Sequence, residues 1–200
     1  MINTSTSVQR RLNVRKMTVI GVLSAISIMM SMIPFIGYIP IGPMKATIMH
    51  VPVIIGAIIE GPLVGAIIGL IFGLTSLWNA ITQPVLLSPL FINPLVSVLP
   101  RILIGVIAYY VYQGVYKLTK KVYASGFVAG LLGSLANTAG VLGMIYILYS
   151  DKYLALLGQQ GTSAGKLLFG VVVTSGIPEA LVAALIVSAV SVALIRKGKK

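Results

Sequence analysis

From Leu167 to Ile195 the chain runs for 29 residues with a single charge, Glu179. As one helix that run would be about 44 Å long, against a bilayer hydrocarbon core of roughly 30 Å. Further apolar runs occupy Met17–Ile33, Ala46–Ile59, Leu63–Trp78, Val98–Tyr116 and Ala124–Leu148. With 58% hydrophobic and 9% charged residues, an ordinary soluble domain is excluded. Residues 1–200 read as a single membrane-embedded domain, an all-α integral membrane protein with six transmembrane helices. The Ala46–Ile59 run is short for a full crossing and is expected to be tilted or buried against protein.

The basic residues orient those helices. The formal net charge is +12. Arg10, Arg11, Arg15 and Lys16 precede the first run, Lys117, Lys120 and Lys121 follow the fourth, and Arg196, Lys197, Lys199 and Lys200 follow the last. This is the positive-inside distribution, and six crossings then put both termini in the cytoplasm. Residues 1–16 form a basic cytoplasmic lead-in, too polar for a cleaved signal peptide. Because the charges flank apolar spans, the basic balance points to membrane lipid and not to nucleic acid.

Several reaction classes drop out. The chain has no cysteine, so it has no disulfide, thiolate metal site or cysteine nucleophile. Glu60, Asp151 and Glu179 are its three acids, too few and too scattered for a carboxylate pair or a metal cluster. No Gly-x-Ser-x-Gly elbow accompanies His50. Gly161–Lys166 falls one residue short of a phosphate-binding loop, and Leu167 stands where that loop needs Ser or Thr. No catalytic residue, metal or cofactor is expected in this chain, and active uptake would require a separate motor that uses ATP.

Small residues and prolines organise the helices. Gly21 and Ala25 lie one turn apart with Ser24 beside them, a spacing that serves either packing within the chain or docking of a partner helix. Gly65, Gly69 and Gly73 make a glycine face on the third run. Pro62 ends the second run after Glu60, and Gly176-Ile177-Pro178 breaks the last, leaving Glu179 near a helix N-terminus. Pro84, Pro89, Pro94 and Pro100 mark an uncharged outer loop with room for a short helical turn, and Ser150–Ser163 reads as another outer loop.

The stretch from Pro34 to Glu60 carries the chemistry. Its prolines forbid one continuous helix between Pro34 and Pro43. Irregular backbone at membrane depth survives where it lines a cavity or is buried in protein. Lys45 and His50 sit where apolar character resumes, so the stretch reads as the wall or lid of a polar pocket; a stiff external loop is the alternative. The candidate substrate-binding set is Lys45, His50, Asn79, Asn93, Arg101, Asn137 and Glu179, the polar groups in or beside the spans. An intramembrane charge needs a partner or water. Arg101 either pairs with Glu179 or holds a ligand carboxylate with its forked donors. His50 is either a satisfied interior histidine or a ligand contact, and Asn137-Thr138 either bridges helices or meets ligand.

Four blocks in order, Lys45–Ala57, Gly73–Asn79, Pro100–Gly105 and Gly176–Ala180, resemble the substrate-binding S components of energy-coupling factor (ECF) transporters, most of all the pantothenate-specific members. The likeness extends over essentially the whole chain. It implies a six-helix vitamin-binding subunit of a bacterial cell membrane that docks on a T component and two ATPases. It implies further that Gly21 and Ala25 meet the T component, glycine replacing the alanine usual at the first position, and that Pro34–Thr47 closes over substrate. Riboflavin or folate is the runner-up ligand, with Tyr38, Trp78 and Phe91 as the outer-half rings such a ligand would stack on. A self-sufficient facilitator is the competing class.

Overall fold

A computed structural model describes residues 4–33, 38–41, 44–159 and 161–197, with side chains over 14–33, 47–159 and 161–194. Helix α1 (Thr4–Met32) is followed by strands β1 (Tyr38–Ile41) and β2 (Met44–Thr47). Helices α2 (Val51–Glu60), α3 (Pro62–Thr82), α4 (Ser88–Phe91), α5 (Pro94–Ser97), α6 (Leu99–Thr119) and α7 (Val122–Leu156) come next. Helix α8 (Ala164–Val171) then passes through a π-helical turn, Val172–Gly176, into α9 (Ile177–Lys197). Among the described residues, five segments are long and apolar enough to cross a membrane: Val14–Met32, Pro62–Thr82, Pro94–Thr119, Val122–Leu156 and Ala164–Leu194. The protein is a multi-pass helical membrane protein.

Helix α2 sits at the centre. Its ten residues span about 15 Å, half a bilayer core. A helix apolar on every side belongs inside protein, and Val51 through Ile58 are all buried. Helices α1, α3, α6, α7 and α9 all pack on it. The glycine face of α3 brings that helix hard against α6. A Cβ on Gly65 would lie 3.0 Å from the Cα of Gly105, and one on Gly73 would lie 2.7 Å from the Cα of Val98. A Cβ on Gly69 would collide with the carbonyl of Arg101. On α7, Gly130 meets α9 in the same way, 2.8 Å from the Cα of Ala184.

Helix α1 has two faces. Ser24 and Ser27 are buried, and Ser27 Oγ donates to the carbonyl of Met49 (3.1 Å). Gly21, Val22, Ala25, Ile26 and Met29 are exposed, and a Cβ at Gly21 would meet nothing within 4 Å. Near the other end of α2, Arg15 Nε approaches Glu60 Oε1 at 2.7 Å. With Arg15 63% exposed, this pair contributes about 0–1 kcal/mol.

The loop after α1 is structured: β1 and β2 form an antiparallel hairpin with Tyr38 opposite Thr47 and Pro40 opposite Lys45. In a two-stranded sheet both strands are edges, the setting in which a proline is tolerated. Pro34–Gly37 and Gly42–Pro43 lie outside the described residues. The second span does not begin at Ala46, which is in β2, but at Val51 after a turn through His50. Helix α7 does not end at Leu148. It bends at Tyr149 (φ −143°, ψ 25°) and continues to Leu156, so the expected loop from Ser150 is helical over half its length. The reason is burial: Tyr153 joins a second apolar cluster with Leu90, Val96, Ile145 and Leu168. The break expected at Gly176-Ile177-Pro178 is present: the π-turn Val172–Gly176 ends where α9 begins, and Pro178 lies in the first turn of α9.

Candidate functional site

A cavity of about 410 Å³ opens between α1, α3, α4, α6, α7 and the turn before α2. Helix α3 and its C-cap contribute one face to it, Phe72, Ser76, Asn79 and Gln83, spaced i, i+4, i+7 and i+11. Ser31 comes from α1, Phe91 from α4, Arg101 from α6 and Asn137 from α7, while Thr47, Met49 and His50 close the side beneath the hairpin.

Arg101 dominates the electrostatics. It is buried, 7% exposed, and Nη1 donates to the carbonyl of Val96 at 2.7 Å. Its guanidinium carbon lies 5.8 Å from the ring centroids of both Phe72 and Phe91. Cation–π contact of this kind holds a guanidinium without neutralising it. Among the described residues no carboxylate lies within 4 Å of Arg101, and Nε has no protein partner. The expected pairing with Glu179 is not made. Glu179 instead stands in the first turn of α9, which packs against strand β2 at the root of the hairpin.

Among the described residues, the neutral groups are also half-satisfied. Asn79 Nδ2 donates to Ser31 Oγ (2.7 Å) and to the Ser31 carbonyl (3.1 Å), while Oδ1 has no protein partner. His50 is buried, with its backbone carbonyl accepting from the amides of Val53 and Ile54 and its Nε2 unpartnered. Asn137 Oδ1 is unpartnered too. Buried polar atoms are rarely left unpaired. Here four of them, from four segments of the chain, belong to residues lining one cavity. Thr138 bonds back to the carbonyl of Ser134 in its own helix (3.3 Å) and packs beside Gly176.

Of the seven residues expected from sequence, His50, Asn79, Arg101 and Asn137 thus come together. Asn93 does not line the cavity. Its Oδ1 caps α5 by accepting from Leu95 N (2.9 Å), and its Nδ2 donates to the Tyr149 hydroxyl (3.0 Å). Glu179 adjoins the hairpin, and the side chain of Lys45 lies outside the described residues. Ser31, Phe72, Ser76 and Gln83 were missed, although the α3 periodicity around Asn79 marks three of them. Trp78 is 60% exposed and off the cavity, and Phe91 is engaged on Arg101.

A buried cation between aromatic rings, with neutral donors and acceptors around it, suits a small organic anion. The fold and the cavity together describe a membrane-embedded solute-binding protein. The sequence profile of the family described as "ECF transporter, substrate-specific component" matches residues 15–191, and the chain belongs to that family. It is 32% identical to the pantothenic acid transporter PanT of Lactococcus lactis subsp. cremoris over 168 residues, covering 76% of this chain and 79% of that one. It is 31% identical to the pantothenate transporter PanT of Leuconostoc mesenteroides subsp. mesenteroides over 179 residues, covering 86% of this chain and 87% of that one.

Proposed function

We propose that this chain is the pantothenate-binding S component of an ECF importer, docking on a T component and two ATPases that power uptake. The observation that carries the substrate is Arg101, buried at the cavity without a carboxylate of its own. Pantothenate has a carboxylate, an amide and hydroxyls on a small flexible body. Its carboxylate pairs with Arg101, and its neutral groups meet Asn79, His50 and Asn137, whose free atoms answer such donors and acceptors. The names of the two relatives support the same substrate. Riboflavin and folate want exposed rings to stack on, and Trp78 faces away from the cavity.

Short α2 completes six crossings by lying buried against five other helices, so it need not match the bilayer thickness. Both termini are then cytoplasmic, at the end where Arg15 meets Glu60, and the hairpin covers the outer mouth of the cavity. The exposed Gly21/Ala25 face of α1 has the open space a close-packing partner helix requires. Reconstitution tests the whole reading. Liposomes containing this chain, a T component and its ATPases should accumulate labelled pantothenate only with ATP, and liposomes containing this chain alone should not. Flux through the chain alone would make it a facilitator.

A further inference from the structure

We propose that Tyr149, outside the cavity, is a positioning residue for the anion-binding end of the site. Through Asn93 it holds the α4–α5 segment in the place that aims the Arg101 guanidinium. The inference rests on the proposed pairing of Arg101 with a ligand carboxylate.

Two of the three protein contacts that fix the guanidinium come from that segment: the Val96 carbonyl on Nη1 and the Phe91 ring on one face. The segment is uncharged and consists of two single helical turns, so it has little rigidity of its own. Internal bonds stitch it, with Ser97 Oγ donating to the Phe91 carbonyl and Leu95 N to Asn93 Oδ1. Apart from the bond that Arg101 itself makes, its side-chain hydrogen bond to another helix, among the described residues, is Asn93 Nδ2 to the Tyr149 hydroxyl. Tyr149 is the residue at which α7 leaves helical geometry, and Lys152 Nζ lies 5.7 Å from its ring centroid. A contiguous path therefore runs from the α7 bend through Asn93 and α5 to Val96 and Arg101. Forked recognition of a carboxylate depends on the direction of the guanidinium as well as its charge, so a loosened holder costs an anionic ligand more than a neutral one.

The test compares Kd for pantothenate with Kd for its alcohol analogue, which lacks the carboxylate, by calorimetry on the purified full chain. Tyr149→Phe removes one hydroxyl, Asn93→Ala removes the bridge from its other side, and Tyr146→Phe, an exposed position on the same helix, is the control. Tyr149→Phe and Asn93→Ala should weaken pantothenate about three- to tenfold while leaving the alcohol unchanged, so that the preference for the acid narrows. Tyr146→Phe should leave both constants alone. A preference unchanged in Tyr149→Phe and Asn93→Ala, or an equal weakening of both ligands, overturns the positioning role. A wild-type chain that does not prefer the acid overturns the Arg101 reading beneath it.

Discussion

The Arg101 guanidinium and the Phe91 ring lie 5.8 Å apart, with Phe72 at the same distance from Arg101. An arginine clasped by two rings and one carbonyl is desolvated and oriented, and it keeps its charge available to a visitor. A charge-assisted hydrogen bond in such a place contributes about 1.5–3 kcal/mol. Arg101→Gln should therefore weaken pantothenate roughly ten- to a hundredfold, and the alcohol analogue should bind the variant as it binds wild type. Titration of both ligands against both proteins checks this.

Gly69 touches the same arginine from the other side, through its backbone. Even one methyl group there would strike the Arg101 carbonyl, and α3 or α6 must move to admit it. Overpacking of this kind costs about 1–3 kcal/mol. Gly69→Ala should lower the thermal midpoint of the purified chain and weaken ligand together. Gly21→Ala, where a Cβ meets nothing, should leave both unchanged.

Gly21 and Ala25 carry the docking claim. Leucine at both positions should leave ligand affinity of the isolated chain intact and abolish co-purification with the T component and ATPases. Survival of the complex would mean that the coupling subunit binds elsewhere.

The absence of native cysteine makes topology directly testable. Cysteine introduced at Ser5 or Lys199 should react with an impermeant reagent only from the cytoplasmic side. Labelling of either from outside would contradict six crossings with both termini cytoplasmic.

Periodicity and charge placement were enough to reveal a helical membrane protein, because lipid demands long apolar runs and basic flanks mark their ends. The glycine face of α3 was legible for the same reason: three glycines at i+4 spacing have one use, close approach. The site was legible where a polar residue interrupts an apolar run, as at His50, Asn79, Arg101 and Asn137. It was not legible at Ser31, which is unremarkable inside an apolar helix and matters through what faces it. Arg101 and Glu179 looked like partners because opposite charges in hydrocarbon attract each other, and the tertiary fold brings no carboxylate of the described residues within 4 Å of Arg101. The helix beyond Tyr149 stayed hidden since its polar sequence resembles a loop, and burial of Tyr153 and its neighbours is a long-range effect.

Calorimetric titration of the purified wild-type chain with pantothenate, riboflavin and folate tests the central claim most directly. Saturable heat with pantothenate and none with the other two is the predicted result. Clear binding of riboflavin or folate with no pantothenate heat would leave the helical fold standing and contradict the substrate assignment and the role given to Arg101.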